Sequence, residues 1–245
     1  GDGDVLWIRN DLIEKYGTKK PETWDEWLQY SEKMTIDSDG DGQIDIFGSV
    51  VPAGLTGKAT DMMQEITWAA GGQEFDRHFN VIYDSPESIQ AVEFLGKLAK
   101  FSPPGISSYS YWEVIEAFVT GRSAIAIYMG RVLGQLETKA PELLDVADVV
   151  LLPKGPKFQC NYLNWNSYAV TSKTPFPEEA KDFLKFLITG DRAVIFCNTV
   201  PGHMVPALFS INNNPKLYEP EVLQRRPDIA KVLLEDMPAH GGGIG

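Results

Sequence analysis

The chain has 245 residues, 43% of them hydrophobic, which is enough for one large or two small packed units. Its 34 acidic side chains outnumber 22 basic ones, a net charge of -12, and like-charge repulsion then opposes binding to nucleic acid or to an anionic membrane. No apolar run approaches the ~20 residues of a membrane span, and Gly1-Asp2-Gly3-Asp4 lacks the basic and apolar regions of a secretory signal.

Residues 6–35 read as a strand, a short helix stopped at Gly17, a loop and a capped amphipathic helix. Thr23 and Glu26 have the T-x-x-E spacing of a capping box, and Trp24, Trp27, Leu28, Ser31 and Met34 then recur at helical spacing. An acidic, glycine-rich loop covers residues 37–48, and 46–51 read as a strand. Residues 60–70 are predicted helical, with Met62, Met63, Ile66 and Ala70 apolar and Gly71-Gly72 as the stop; 81–83 are predicted as a short strand. Ser85 and Pro86 open the next helix, whose stripe is Ile89, Val92, Leu95, Leu98 and Ala99. Pro103-Pro104-Gly105 breaks the chain, and Ser110 with Glu113 forms a second capping box ahead of Val114, Ile115, Phe118 and Val119. Further strands are predicted at 123–129, 146–152 and 168–171. Pro177 then opens a helix carrying Ala180, Phe183, Leu184, Leu187 and Ile188, stopped by Gly190. Strands alternating with helices indicate a layered α/β fold.

Three patterns carry chemistry. Asp37, Asp39, Asp41, Gln43 and Asp45 match the D-x-D-x-D-G spacing of a calcium loop, with Gly42 at the sharp turn; Gly48 replaces the bidentate glutamate at the twelfth position. The expectation is a structural Ca2+, set against a solvated acidic turn. Asp61 and Glu65 lie four apart on one helix, which suits either a solvated face or a carboxylate pair for glycoside hydrolysis. The segment 161–168, NYLNWNSY, joins aromatic rings with amide side chains, the groups that stack on the faces and bond the hydroxyls of sugars. Cys160 and Cys197 sit in no C-x-x-C motif and read as two buried thiols or one disulfide, while three histidines are too scattered for a zinc site.

The opening segment, with Arg9-Asn10-Asp11-Leu12 and Pro21 to Trp27, resembles the L-Y-x-N-K-D-L…P-x-T-W-D-E-W pattern of extracellular solute-binding proteins (family 1) of ABC sugar importers, which are maltose-binding-protein-like. Three more stretches resemble the same family in its order: Tyr83-Asp84-Ser85-Pro86-Glu87, Ala117-Phe118 through Ile125, and Glu179-Ala180 through Leu187. The resemblance implies a type II periplasmic binding protein-like α/β lobe, a mixed sheet flanked by helices. Residues 5–157 would be the second lobe, 158–200 a crossover segment belonging to the first, and 201–245 a truncated return to the second.

The resemblance also implies a fragment lacking the opening of the first lobe and the C-terminal end, with 240–245 as a loop cut short, so that this stretch alone binds sugar weakly or not at all. It implies no catalysis, a carbohydrate ligand, an ABC transporter permease as partner, and a periplasmic or cell-surface location. By residue match, Trp165 would stack on the ligand with Asn164 and Asn166 bonding it. Arg131 would donate from a cleft loop, Asp61 and Gln64 would form a cleft wall, and His203 would sit in a turn near the cleft or be packed away from it. Trp68 and Trp112 would be core. The same topology would place both cysteines near interlobe crossings. Two rival classes remain: a calcium-stabilised scaffold or adhesion module, and a glycoside hydrolase using Asp61 and Glu65.

Overall fold

The computed structural model describes residues 2–206 and 208–240. At its centre is β2 (Val5–Arg9), paired antiparallel with β3 (Ile125–Tyr128) on one side and β4 (Ala147–Val150) on the other; β1 (Asp2–Gly3) pairs separately with β5 (Leu163–Asn164). Successive side chains of a strand point to opposite faces, so both faces of this sheet must be covered for its apolar run to be buried. They are. Val5, Trp7, Ala126, Tyr128, Ala147 and Val149 face one helical layer, while Leu6, Ile8, Ile125 and Ile127 face the other. A three-layer α/β sandwich results.

The second layer consists of α1 (Asn10–Tyr16), α2 (Trp24–Lys33), α3 (Gly57–Ala70) and α4 (Pro86–Leu98). The first holds α5 (Tyr111–Val119), α6 (Arg131–Lys139) and α7 (Pro141–Val146), with α8 (Pro177–Ile188) and α9 (Gly190–Cys197) beyond. Short segments close that layer: α10 (Phe209–Asn212), α11 (Glu221–Arg225), α12 (Pro227–Lys231), a π-helical turn at Val232–Asp236 and α13 (Met237–His240). Of the tail expected as a loop at 240–245, His240 instead ends α13, and 241–245 lie outside the described residues.

Local signals set the helix starts. Thr23 Oγ1 accepts from Glu26 N at 3.3 Å, but the Glu26 carboxylate reaches Glu22 N at 2.8 Å, one residue before the cap, and pairs with Lys19. Ser85 caps α4, and the Ser110–Glu113 box is complete in α5. Trp7 is fully buried because its indole N–H is satisfied by the carbonyls of Tyr128 and Met129.

Several expectations are corrected. Residues 46–51 form no strand: Ile46 bridges Ile36, Phe47 makes one parallel bridge to Ser123, and then Ser49 N turns to Phe101 and Val51 N to Ser102 Oγ. The 81–83 segment makes only one bridge, from Val81 to Phe75, with Val81 72% exposed; 168–171 has no ladder partner. On α4 the buried face is Ala91, Phe94 and Leu98, whereas Ile89 and Val92 are exposed. Phe94 decides this rotation by stacking on Trp24 at 4.0 Å and meeting Trp27 edge-on. Of the two readings of the cysteines, the buried thiols hold and the disulfide does not: Cys160 and Cys197 are each buried in a different core layer. Finally, none of the α8 residues is buried, and Phe183, Phe186 and Ile188 remain exposed.

Candidate functional site

A cleft of about 460 Å³ opens where the end of β3 meets the start of β2. Three residues of α3, Lys58, Asp61 and Glu65, share one face at helical spacing and point toward this edge. Lys58 forms an ion pair with Asp4 Oδ2, both side chains wholly buried, and its ammonium lies 5.4 Å from the centre of the Tyr128 ring. Asn161 Nδ2 donates to the Asp4 carbonyl at 2.7 Å.

Glu65 is fully buried and accepts from Tyr162 N at 3.2 Å. Burial, with the Asp4 charge beside it, pushes its carboxyl well above the usual carboxylate range, which favours the neutral acid. The expectation of a solvated Asp61–Glu65 face is therefore corrected. Asp61 is half-buried in the cleft wall, and Glu65 lies beneath it. As Glu65 does not line the cleft, it offers no second carboxylate to a bond held there.

Tyr111, at the first turn of α5, donates its hydroxyl to Asp61 Oδ2 at 3.2 Å and meets Tyr128 edge-on. Gly57 permits this approach, since a Cβ there would stand 2.5 Å from the Tyr111 hydroxyl. Next to it Trp112 is 54% exposed rather than core, because the buried face of α5 starts at Val114. Trp68 is half-buried and stacks on Tyr162, another cleft residue.

Arg131 begins α6. Its Nη2 donates to His203 Nε2 at 3.3 Å, and the guanidinium lies 5.9 Å from the Trp112 ring. His203 reaches this place because Gly202, at φ +73, packs its carbonyl against Gly130; a Cβ on Gly130 would stand 1.9 Å from that oxygen. Burial first, and then the Arg131 charge, lowers the His203 pKa to about 4, so the imidazole is neutral at pH 7 and accepts from Arg131. Asp2 Oδ2 accepts from Asn166 at 3.4 Å and lies 3.9 Å from His203 Nε2. Asp2 Oδ1, Arg131 Nε and His203 Nδ1 are buried with no hydrogen-bond partner among the described residues.

Of the residues singled out from sequence, Asp61, Arg131 and Asn164 line the cleft, as does His203. Asn166 joins the rim through Asp2, Trp165 is 59% exposed beside it, and Gln64 is half-buried on α3 outside the lining. Sequence reasoning missed Asp2, Tyr111 and Tyr128, and singled out Tyr162 only as part of the ring-and-amide segment 161–168. The available signal was an aromatic pair placed directly behind a helix cap, off the apolar stripe of its own helix. A separate 280 Å³ cavity beside α8 and α9 is lined mainly by Leu184, Leu187, Ile188, Phe196 and Met204 and has no converging charges.

In the acidic loop, carboxylate oxygens of Asp37, Asp39 and Asp45 lie within 4.8 Å of one another, all exposed. Asp37 accepts from Gly40 N and Gly42 N, which Gly40 (φ +80) and Gly42 (φ +89) allow, and Asp45 accepts from Ser38 N. Asp41 is turned instead to Gln43, accepting from its N and Nε2. Three hard oxygens are the donor chemistry calcium takes.

An α/β lobe with a cleft of aromatic faces and convergent polar atoms at its sheet edge has the make-up of a small-ligand site. Residues 1–191 match the family model for bacterial extracellular solute-binding proteins, and the chain belongs to that family. It is 21% identical over 235 residues to a putative ABC transporter periplasmic-binding protein, YcjN, of Escherichia coli (strain K12), covering 95% of this chain and 52% of that protein. An arabinooligosaccharide-binding protein of Halalkalibacterium halodurans is 23% identical over 227 residues, 88% of this chain and 48% of its own length. The maltose-bound MalE3 structure of T. maritima superposes with a TM-score of 0.77 at 23% identity, covering 100% of this chain and 60% of that one. The fold is that of type II periplasmic binding proteins. This chain spans about half the length of the curated relatives it matches.

Proposed function

We propose that the protein captures a carbohydrate in this cleft and delivers it, unaltered, to the membrane permease of an ABC importer, from the periplasm or the cell surface. The observation that carries this reading is the convergence of Tyr111, Trp112, Tyr128 and Tyr162 with Asp61, Arg131 and Asn164 around one opening. Rings take the CH-rich faces of a sugar, and the carboxylate, guanidinium and amide groups take its hydroxyls. Relatives described as binding arabinooligosaccharide and mannitol support it. No helix among the described residues is long and apolar enough to cross a membrane.

The mechanism is closure of two lobes, in which contacts made only in the closed state shift the population. On this reading residues 5–157 belong to one lobe, 158–200 cross to the other, and the stretch 201–245 returns. The ladder between Asp2–Gly3 and Leu163–Asn164 supports a hinge beside the cleft, since it ties two connecting segments together there.

A thermal-shift panel of sugars, followed by calorimetry on the full-length gene product, tests this. The correct sugar at a hundredfold over Kd stabilises by about 2.7 kcal/mol. Trp112→Ala is expected to weaken binding about tenfold with little effect on unfolding, because the ring is exposed and its loss removes ligand stacking and a surface contact with Arg131. A panel in which amino acids stabilise and no sugar does would end the carbohydrate reading.

A second proposal rests on Asp37, Asp39 and Asp45: the loop binds Ca2+ in a structural role. The cation would offset repulsion among carboxylates held within 4.8 Å. Millimolar calcium is expected to raise Tm, with magnesium less effective and Asp39→Asn abolishing the gain. An identical Tm with calcium and with chelator removes the proposal.

A further inference from the structure

The charges facing the cleft do not balance. Asp61 lines it from α3 with one oxygen held by Tyr111, and Asp2 is buried at its edge with Oδ1 unpartnered among the described residues. Arg131 is the cleft's single cation among the described residues, and its guanidinium is already engaged by His203 Nε2 and the Trp112 face. His203 adds no positive charge, being neutral at pH 7. Deeper charges cancel, since Lys58 pairs with Asp4.

Burial raises both Asp2 and Asp61 above the ordinary carboxylate value, which means that their negative charge is poorly solvated where they stand. A ligand ammonium would supply the missing counter-charge. A ligand carboxylate would add repulsion from Asp61 and Asp2 in a setting that screens it weakly, against the one cation Arg131.

We infer, resting on the carbohydrate reading above, that the cleft selects sugars by charge: Asp61 and Asp2 favour a sugar bearing a protonated amine, admit its neutral parent, and reject the matching uronate. Specificity of this kind comes from a repulsive element as much as from an attractive one.

The test is calorimetry on the full-length gene product with matched trios: glucose, glucosamine and glucuronate, and the galacto and manno sets. The buffer is at about pH 6.5, below the titration range of an amine of this kind. The amino sugar is expected to bind at least about tenfold more tightly than the uronate, one charge contact being worth about that factor. Asp61→Asn preserves the acceptor for Tyr111, and circular dichroism checks its fold. It should narrow the gap about tenfold while changing neutral-sugar affinity less, and Asp2→Asn should narrow it in the same direction. A uronate that binds as well as the amino sugar overturns charge selection and leaves the carbohydrate reading standing. An unchanged gap in both variants assigns selection elsewhere and also overturns it. Failure of every neutral sugar in the wider panel overturns the carbohydrate reading, and this inference falls with it.

Discussion

Replacing Lys58 with Met is expected to cost about 3–5 kcal/mol of folding stability. The Lys58 side chain is wholly buried, and so is the carboxylate of Asp4 with which it pairs. Met fills much of the same volume, so lost packing contributes little. The cost comes from leaving Asp4 charged, dry and without its counter-ion. Asn161 does not rescue it, because that amide donates to the Asp4 backbone carbonyl rather than to the carboxylate. The double variant Asp4→Asn with Lys58→Met is therefore expected to recover most of the loss, as removing both charges removes the uncompensated one. Denaturant unfolding of wild type, both single variants and the double variant gives the cycle. A loss below about 1 kcal/mol in Lys58→Met would mean that Asp4 finds water or another partner, contrary to its burial.

Glu65 gives the second large effect, and it depends on pH. Its folded-state pKa is raised by burial and by Asp4, so above the ordinary value of 4.5 the folded protein holds a proton that the unfolded chain releases. Stability must then fall as pH rises from about 4.5 toward the folded-state pKa, by up to about 1.4 kcal/mol per pH unit. Glu65→Gln carries the shape of the neutral acid without the proton, so this slope should vanish in the variant. Glu65 Oε1 has no partner among the described residues, which a neutral carboxyl tolerates better than a carboxylate does. Comparing wild type with Glu65→Gln between pH 5 and 8 cancels the contributions of all other groups. Parallel curves would show that Glu65 is ionised in the folded state.

These two residues also mark where sequence reading succeeded and where it stopped. Helix starts at Thr23, Ser85 and Ser110 were legible because capping is written in a few adjacent residues. The central strands were legible because a sheet covered on both faces demands unbroken apolar runs. Residues 46–51 have the same composition but find one bridge on the sheet edge, and composition does not encode a partner. The α4 stripe was placed on Ile89 and Val92 because that helix carries apolar residues on two faces, and Phe94 against Trp24 makes the choice.

The site divides in the same way. Arg131, Asp61 and Asn164 were legible as polar groups near strand ends and a helix wall. Tyr111 and Tyr128 were hidden within a helix start and a buried strand, and only the folded chain brings them together at 6.1 Å. Lys58, three residues before Asp61 and seven before Glu65, was the available sign that this acidic face turns inward.

The central position of β2 has a consequence for how the molecule assembles. Val5 finds its ladder partner in Tyr128, and Leu6 is flanked by Ile127 and Val150, so the middle of the sheet waits for segments far along the chain. Loop-closure entropy must be spent before those contacts return anything, which slows formation of the transition state. During synthesis β2 is thus an apolar ribbon with nothing to zip against until Ile125–Tyr128 has left the ribosome.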